Sequence, residues 1–262
     1  MTDHPMTHGS PITSWIWVGA LLVAALLYGA GVLAQPRGKR WPAGRVACWY
    51  AALIVAGIAL IGPVAERAHM DFTWHMVAHL LLGMLAPIGL VLGAPITLAL
   101  RDLPQKQGRR LAWLLATPPV QTLAHPVTAS VLNMGGLTSL YITGLYGAMH
   151  EHRALFPAVH VHILLAGYLF TAAFIGLDHM RHRPSWMTRA VVLILALGVH
   201  ATLAKWLYAH PPGGVPPHQA EVASQLMYYG GDVIDLVLIA LFCRQWYVAA
   251  RPRGAATARP LY

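Results

Sequence analysis

Seven apolar runs, each about 20 residues long and bounded by short polar or basic loops, constrain this chain more than any other feature. They cover roughly 12–33, 46–64, 74–92, 126–148, 156–177, 187–208 and 223–247. A soluble core could not absorb them. Of all residues 57% are hydrophobic and only 10% charged, where a soluble domain carries about 25% charge. In hydrocarbon every backbone polar group must be satisfied within its own segment, which selects helices. The expected fold is therefore all-α: a polytopic bundle of seven transmembrane helices in a single integral-membrane domain over 1–262. Residues 95–103, after the stop at Gly93-Ala94-Pro95, read as a short interfacial helix. The first run lacks a basic leader and a small-residue cleavage pattern, so it reads as a retained span.

The net charge is +9. Nucleic acid is not the implied partner, because the basic residues sit in loops between apolar runs and so point to a lipid bilayer. Arg37, Lys39, Arg40 and Arg45 precede the second run, and Arg101, Lys106, Arg109 and Arg110 precede the fourth. Arg181, Arg183 and Arg189 lie around the start of the sixth, and Arg244, Arg251, Arg253 and Arg259 end the chain. The alternate loops hold only Arg67 and Arg153. The excess of Lys and Arg in cytoplasmic loops puts the N-terminus outside and the C-terminus in the cytoplasm.

This topology sorts the 15 histidines, which outnumber the 9 acidic residues. His4, His8, His69, His75, His79, His150, His152, His160, His162, His210 and His218 fall outside or in the outer half, with His200 near mid-depth. His125, His179 and His182 fall toward the cytoplasm. Met6, Met70, Met76, Met149 and Met227 join the outer set. Imidazole with thioether is a donor set that suits copper, the thioether favouring Cu(I). Cys48 and Cys243 are too few for a disulfide framework and read as packing residues.

The sharpest local pattern is Trp74-His75-Met76-Val77-Ala78-His79. His75 and His79 are one turn apart on one helix face, about 6 Å along the axis, so both rings can reach one ion. His160 and His162 lie about 200° apart around their helix, so at most one faces inward, and spacing alone leaves open which. His200, deeper, is expected to face the bundle interior. Asp232 and Asp235 fall near the bilayer centre, where a charge costs at least ~2.5–3.5 kcal/mol on insertion scales. They read as a proton relay, as partners that orient a metal-ligating imidazole, or as a pair locking helices together. His150-Glu151-His152 reads as a solvated loop, and Gly135-Gly136 with Thr138 and Ser139 as a small-residue packing face.

The segment Trp74 to Leu82, with Ala86-Pro87 and Leu92-Gly93-Ala94-Pro95, resembles the central signature of the multi-spanning CtaG family, assembly factors for caa-type cytochrome c oxidases. His162-Ile163-Leu164-Leu165 with Gly167-Tyr168-Leu169-Phe170, His200 and Gln225 are also similar to it. The resemblance implies a non-enzymatic protein of the bacterial plasma (inner) membrane that aids maturation of the oxidase, with oxidase subunits or other assembly factors as partners. It implies copper, bound near the outer leaflet by His75, His79, His162 and His200, with Met76 as an exchangeable ligand. The family's acidic Asp-Gln-Gln entry to the last span is absent. Val222-Ala223-Ser224-Gln225 stands there, and the acids are displaced to Asp232 and Asp235. Two other readings stand beside this one. The first is a haem-binding redox protein with axial imidazoles. The second is a proton-coupled metal or small-molecule transporter running on Asp232 and Asp235.

Overall fold

The computed structural model describes residues 11–35, 40–152, 154–175 and 184–251, with side chains from residue 14 onward. His4, Met6, His8, Arg37, Lys39, Arg153, His179, Arg181, His182, Arg183, Arg253 and Arg259 lie outside the described residues. The described residues hold helices and no strand. In chain order they are α1 (Pro11–Leu33), α2 (Ala43–Leu60), α3 (Pro63–Ala68), α4 (Phe72–His79), a π-helical turn (Leu80–Leu85), α5 (Ala86–Leu92), α6 (Pro95–Asp102), α7 (Gln105–Leu115), α8 (Pro118–Leu123), α9 (Pro126–Ile142), α10 (Leu145–Glu151), α11 (Leu155–Ile175), α12 (Trp186–Ala209) and α13 (Pro217–Ala250).

Six helices among the described residues are long and apolar enough to cross a membrane: Ser14–Leu33, Ala43–Leu60, Phe72–Asp102, Leu155–Ile175, Trp186–Ala209 and Pro217–Ala250. The fourth run of the sequence differs from its expected extent of 126–148. α9 is a 17-residue helix that stops at Ile142, and α10 starts after a break at Thr143-Gly144. Gly144 takes φ 76°, a left-handed conformation that glycine adopts without a Cβ penalty. α13 is longer than its expected run and, at 34 residues, spans about 50 Å, more than a hydrocarbon core. The stop after the third run falls as expected: α5 ends at Leu92, Ala94 adopts φ 49°, and Pro95 opens α6.

The packing is a closed ring. α4 lies on α13, α13 on α12, α12 on α9, α9 on α11, and α11 on α5 and the π turn. α2 packs outside this ring on α5, and α1 packs on α2. Phe72–Asp102 is accordingly the most enclosed of the six candidate spans, and Ser14–Leu33 the least. Two core clusters fill the ring. One holds Phe72, Met76, Tyr141, Met149, Leu207 and Met227. The other, around Phe170, Phe174, Leu193 and Phe242, lies toward the opposite end.

The π turn follows from Pro87. Proline has no N–H for the carbonyl four residues back, which is that of Gly83, and its ring crowds that carbonyl. The helix widens to accommodate it, and the Ala86 amide donates instead to the Leu81 carbonyl, five residues back. The Gly83 carbonyl then lies where a Cβ on Gly167 of α11 would be, so α11 approaches this turn backbone to backbone.

α4 begins at a side-chain cap. The Asp71 carboxylate accepts from the Thr73 amide at 2.7 Å and from the Trp74 amide at 3.3 Å. Loss of such a cap costs ~0.5–2 kcal/mol. Asp71→Ala is therefore expected to lower the unfolding midpoint in detergent while leaving helix content near that of the parent. An unchanged midpoint would show that the packing of α4 against α13 sets its start without the cap.

Candidate metal centre

The i,i+4 spacing on α4 places His75 and His79 on the buried face of that helix, 3% and 7% exposed. His200 of α12 and His160 of α11 are buried too. Imidazoles from three helices thus point into one ring. Of the neighbouring pair on α11, His160 is the one that faces inward. His162 is exposed and its ring lies against Gly136 of α9, on ground a Cβ there would occupy.

The four buried rings divide by what they bond. His75 Nε2 is 3.2 Å from the Tyr141 hydroxyl of α9, and that hydroxyl also lies 4.0 Å from Met76 Sδ. His160 Nδ1 donates to the Phe156 carbonyl at 2.8 Å, which leaves Nε2 with the lone pair. His79 has no hydrogen-bond partner at either ring nitrogen, and His200 has none at Nε2. These atoms are buried, and buried polar atoms without partners are rare. The two rings face each other with centroids 6.4 Å apart and planes at 25°.

Glycine makes room for both. A Cβ on Gly231 of α13 would come within 2.6 Å of His200 Cε1, and one on Gly83 within 3.3 Å of His79 Cε1. His79 and His200 both line a cavity of about 20 Å³, together with Met84, Asn133, Thr171 and Asp235. That is room for one water molecule or one ion, since a water needs ~10–15 Å³ on this scale.

Asp235 is buried at the cavity wall, whereas Asp232 is exposed on the outer face of α13, so the structure separates the two acids. Met76 is fully buried, in the same core cluster as Met149 and Met227, while Met70 is 78% exposed. Among the described residues no group of three or more His, Cys, Asp or Glu side chains is arranged to hold a metal. What the described residues bring together instead is one pair of buried imidazoles, His79 and His200.

The profile of the cytochrome c oxidase caa3 assembly factor family (Caa3_CtaG) matches residues 26–249. The chain belongs to this family. It is 31% identical over 201 residues to an uncharacterised protein of Mycobacterium leprae, covering 72% of this chain and 30% of that protein. It is 34% identical over 209 residues to an uncharacterised protein of Mycobacterium bovis, covering 75% of this chain and 32% of the relative. The chain thus spans about a third of the length of these curated relatives. No solved structure matches it. The caa3 assembly-factor match covers all four buried histidines. Sequence reasoning missed two parts of the site: the choice of His160 over His162, and the glycines that admit the rings. Pro87, four residues after Gly83, was the available signal for the π turn.

Proposed function

We propose that this caa3 assembly factor is a non-enzymatic copper carrier of the bacterial plasma membrane. It holds Cu(I) between His79 and His200 and passes it to an apo-oxidase subunit. The observation that carries the reading is a pair of buried rings whose centroids lie 6.4 Å apart and which together hold three unpartnered nitrogens. Two imidazoles in line on one ion place their ring centres about 6 Å apart, given metal–nitrogen bonds near 2.0 Å. Zn(II) prefers four ligands, whereas two neutral donors satisfy Cu(I). Met84 puts a polarisable thioether on the cavity wall, while Met76 and His75 meet at the Tyr141 hydroxyl instead. Loose, two-donor coordination also suits a carrier that must release its cargo.

The orientation proposed is N-terminus outside and C-terminus cytoplasmic, with α9 as the seventh crossing. At 17 residues α9 reaches about 25 Å, close to the hydrocarbon thickness. Arg45, Arg101, Lys106, Arg109, Arg110, Arg189 and Arg244 then gather at one end of the ring. His69 and His150 lie at the other end, which supports an extracytoplasmic opening for the metal path.

A haem held between the same imidazoles would need a slot for a macrocycle, and about 20 Å³ favours an ion. Deletion of the gene tests the reading. The expected result is a terminal oxidase that retains haem and loses copper. An oxidase with full copper but altered haem would overturn it.

A further inference from the structure

The mouth of the bundle holds a second pair of neighbouring imidazoles that the carrier reading leaves unused. His69 lies in the turn between α3 and α4, and His150 lies on α10. Their ring centroids are 6.4 Å apart, the same spacing as His79 and His200, with planes at 89°. A linear nitrogen–metal–nitrogen bridge tolerates any twist about its axis, so either interplanar angle is compatible with it.

The tautomers are prepared as well. His150 Nδ1 donates to the Tyr146 carbonyl at 2.8 Å, as His160 Nδ1 does to Phe156, and a ring anchored this way presents Nε2 as a free donor. Burial, and then the neighbouring His150, hold the pKa of His69 below the ordinary histidine value. The neutral imidazole is the ligand form of the ring.

Ring contacts lead inward from the outer pair as far as His160. His69 stacks on Phe156 with centroids 4.2 Å apart, and Phe156 packs against His160 at 4.2 Å with its ring tilted by 34°. Exposure falls along this line: His150 is exposed, His69 half-buried and His160 buried. Three separate elements supply the rings. Tyr146 completes the wall, 4.7 Å from His150 and 4.9 Å from His75.

We propose that His69 and His150 form a second, shallower Cu(I) station at the bundle mouth, which loads the buried His79–His200 pair by way of His160. The role as a loading station rests on the copper-carrier reading, but the site itself does not. No redox step is involved: the ion arrives and leaves as Cu(I), exchanging one neutral imidazole donor for another. Two neutral imidazole donors suit Cu(I) better than divalent ions, which take more ligands.

The test is Cu(I) titration of the full chain in detergent under reducing conditions, read by metal analysis after removal of loosely held ion. His150 is exposed, so His150→Ala leaves the bundle folded. The parent is expected to hold about two Cu(I) per chain, and His150→Ala and His79→Ala about one each, since each removes a ligand from a different site. Retention of both ions in His150→Ala overturns the station. One ion in the parent, lost in His79→Ala and kept in His150→Ala, also overturns it and leaves the central carrier site standing. One ion lost only in His150→Ala supports the station and removes the central site. A parent that binds no Cu(I) ends both.

Discussion

His79→Ala and His200→Ala are each expected to abolish the proposed Cu(I) binding at the centre of the bundle, and His162→Ala to leave it at the parent level. This is the largest functional effect expected, and its physical basis is the donor count. A two-imidazole site that loses one ring retains a single protein donor, and one donor does not compete with solution ligands. In the apo chain the same substitutions relieve buried ring nitrogens of their unmade hydrogen bonds, each a desolvation cost of ~1–3 kcal/mol. That relief offsets part of the cavity cost of each truncation, so binding is expected to fall far more than the unfolding midpoint. A merely structural pair would show the opposite. His162 is the control, because family likeness selects it and the structure places it on the exposed side of α11 against Gly136. Loss of copper in His162→Ala, with binding intact in His79→Ala, would sink the central site.

Gly167→Ala is expected to be the most destabilising single-methyl substitution in the bundle. Its Cβ would enter the space of the Gly83 carbonyl, and backbone on both sides leaves no flexible side chain to give way. Overpacking of this kind costs ~1–3 kcal/mol or more. The added methyl would push α11 off the π turn that directly follows His79, so copper binding should weaken together with stability. Gly135→Ala on α9 is the matched control, since a Cβ there meets nothing within 4 Å. It is expected to be neutral or slightly stabilising, alanine being the better helix former by ~1 kcal/mol. Unfolding midpoints in detergent compare the two. Equal midpoints would mean that the approach of α11 to the π turn is not a fixed contact.

The relation between the pairs bears on how a carrier can be both filled and emptied. Each proposed site offers an ion two donors, so moving between them replaces one pair of bonds with a similar pair. A deep cage with four ligands would bind more tightly and release more slowly. The buried Asp235 at the cavity wall and the exposed Asp232 further distinguish two acids that the sequence presents as one motif. Three residues turn a helix by about 300°, which here falls across the boundary between interior and lipid.

The all-α membrane class could be read from the chain alone because it rests on length and hydropathy, and lipid leaves the backbone no alternative to helices. The stop at Gly93-Ala94-Pro95 and the shared face of His75 and His79 were equally legible, since both depend on residues within one or two turns. The family was legible from the Trp74–Leu82 signature for the same local reason. What the sequence could not decide is set by distance across the bundle. Inward facing of His160 rather than His162 depends on where α9 and α4 lie around α11. The pairing of His79 with His200, and of His69 with His150, joins residues more than 80 positions apart. The His79–His200 pair also needs glycines at 83 and 231, which are informative only once the neighbouring rings are seen beside the missing Cβ atoms. Helical periodicity fixes which residues share a face. Only the closed packing of five helices decides which faces meet.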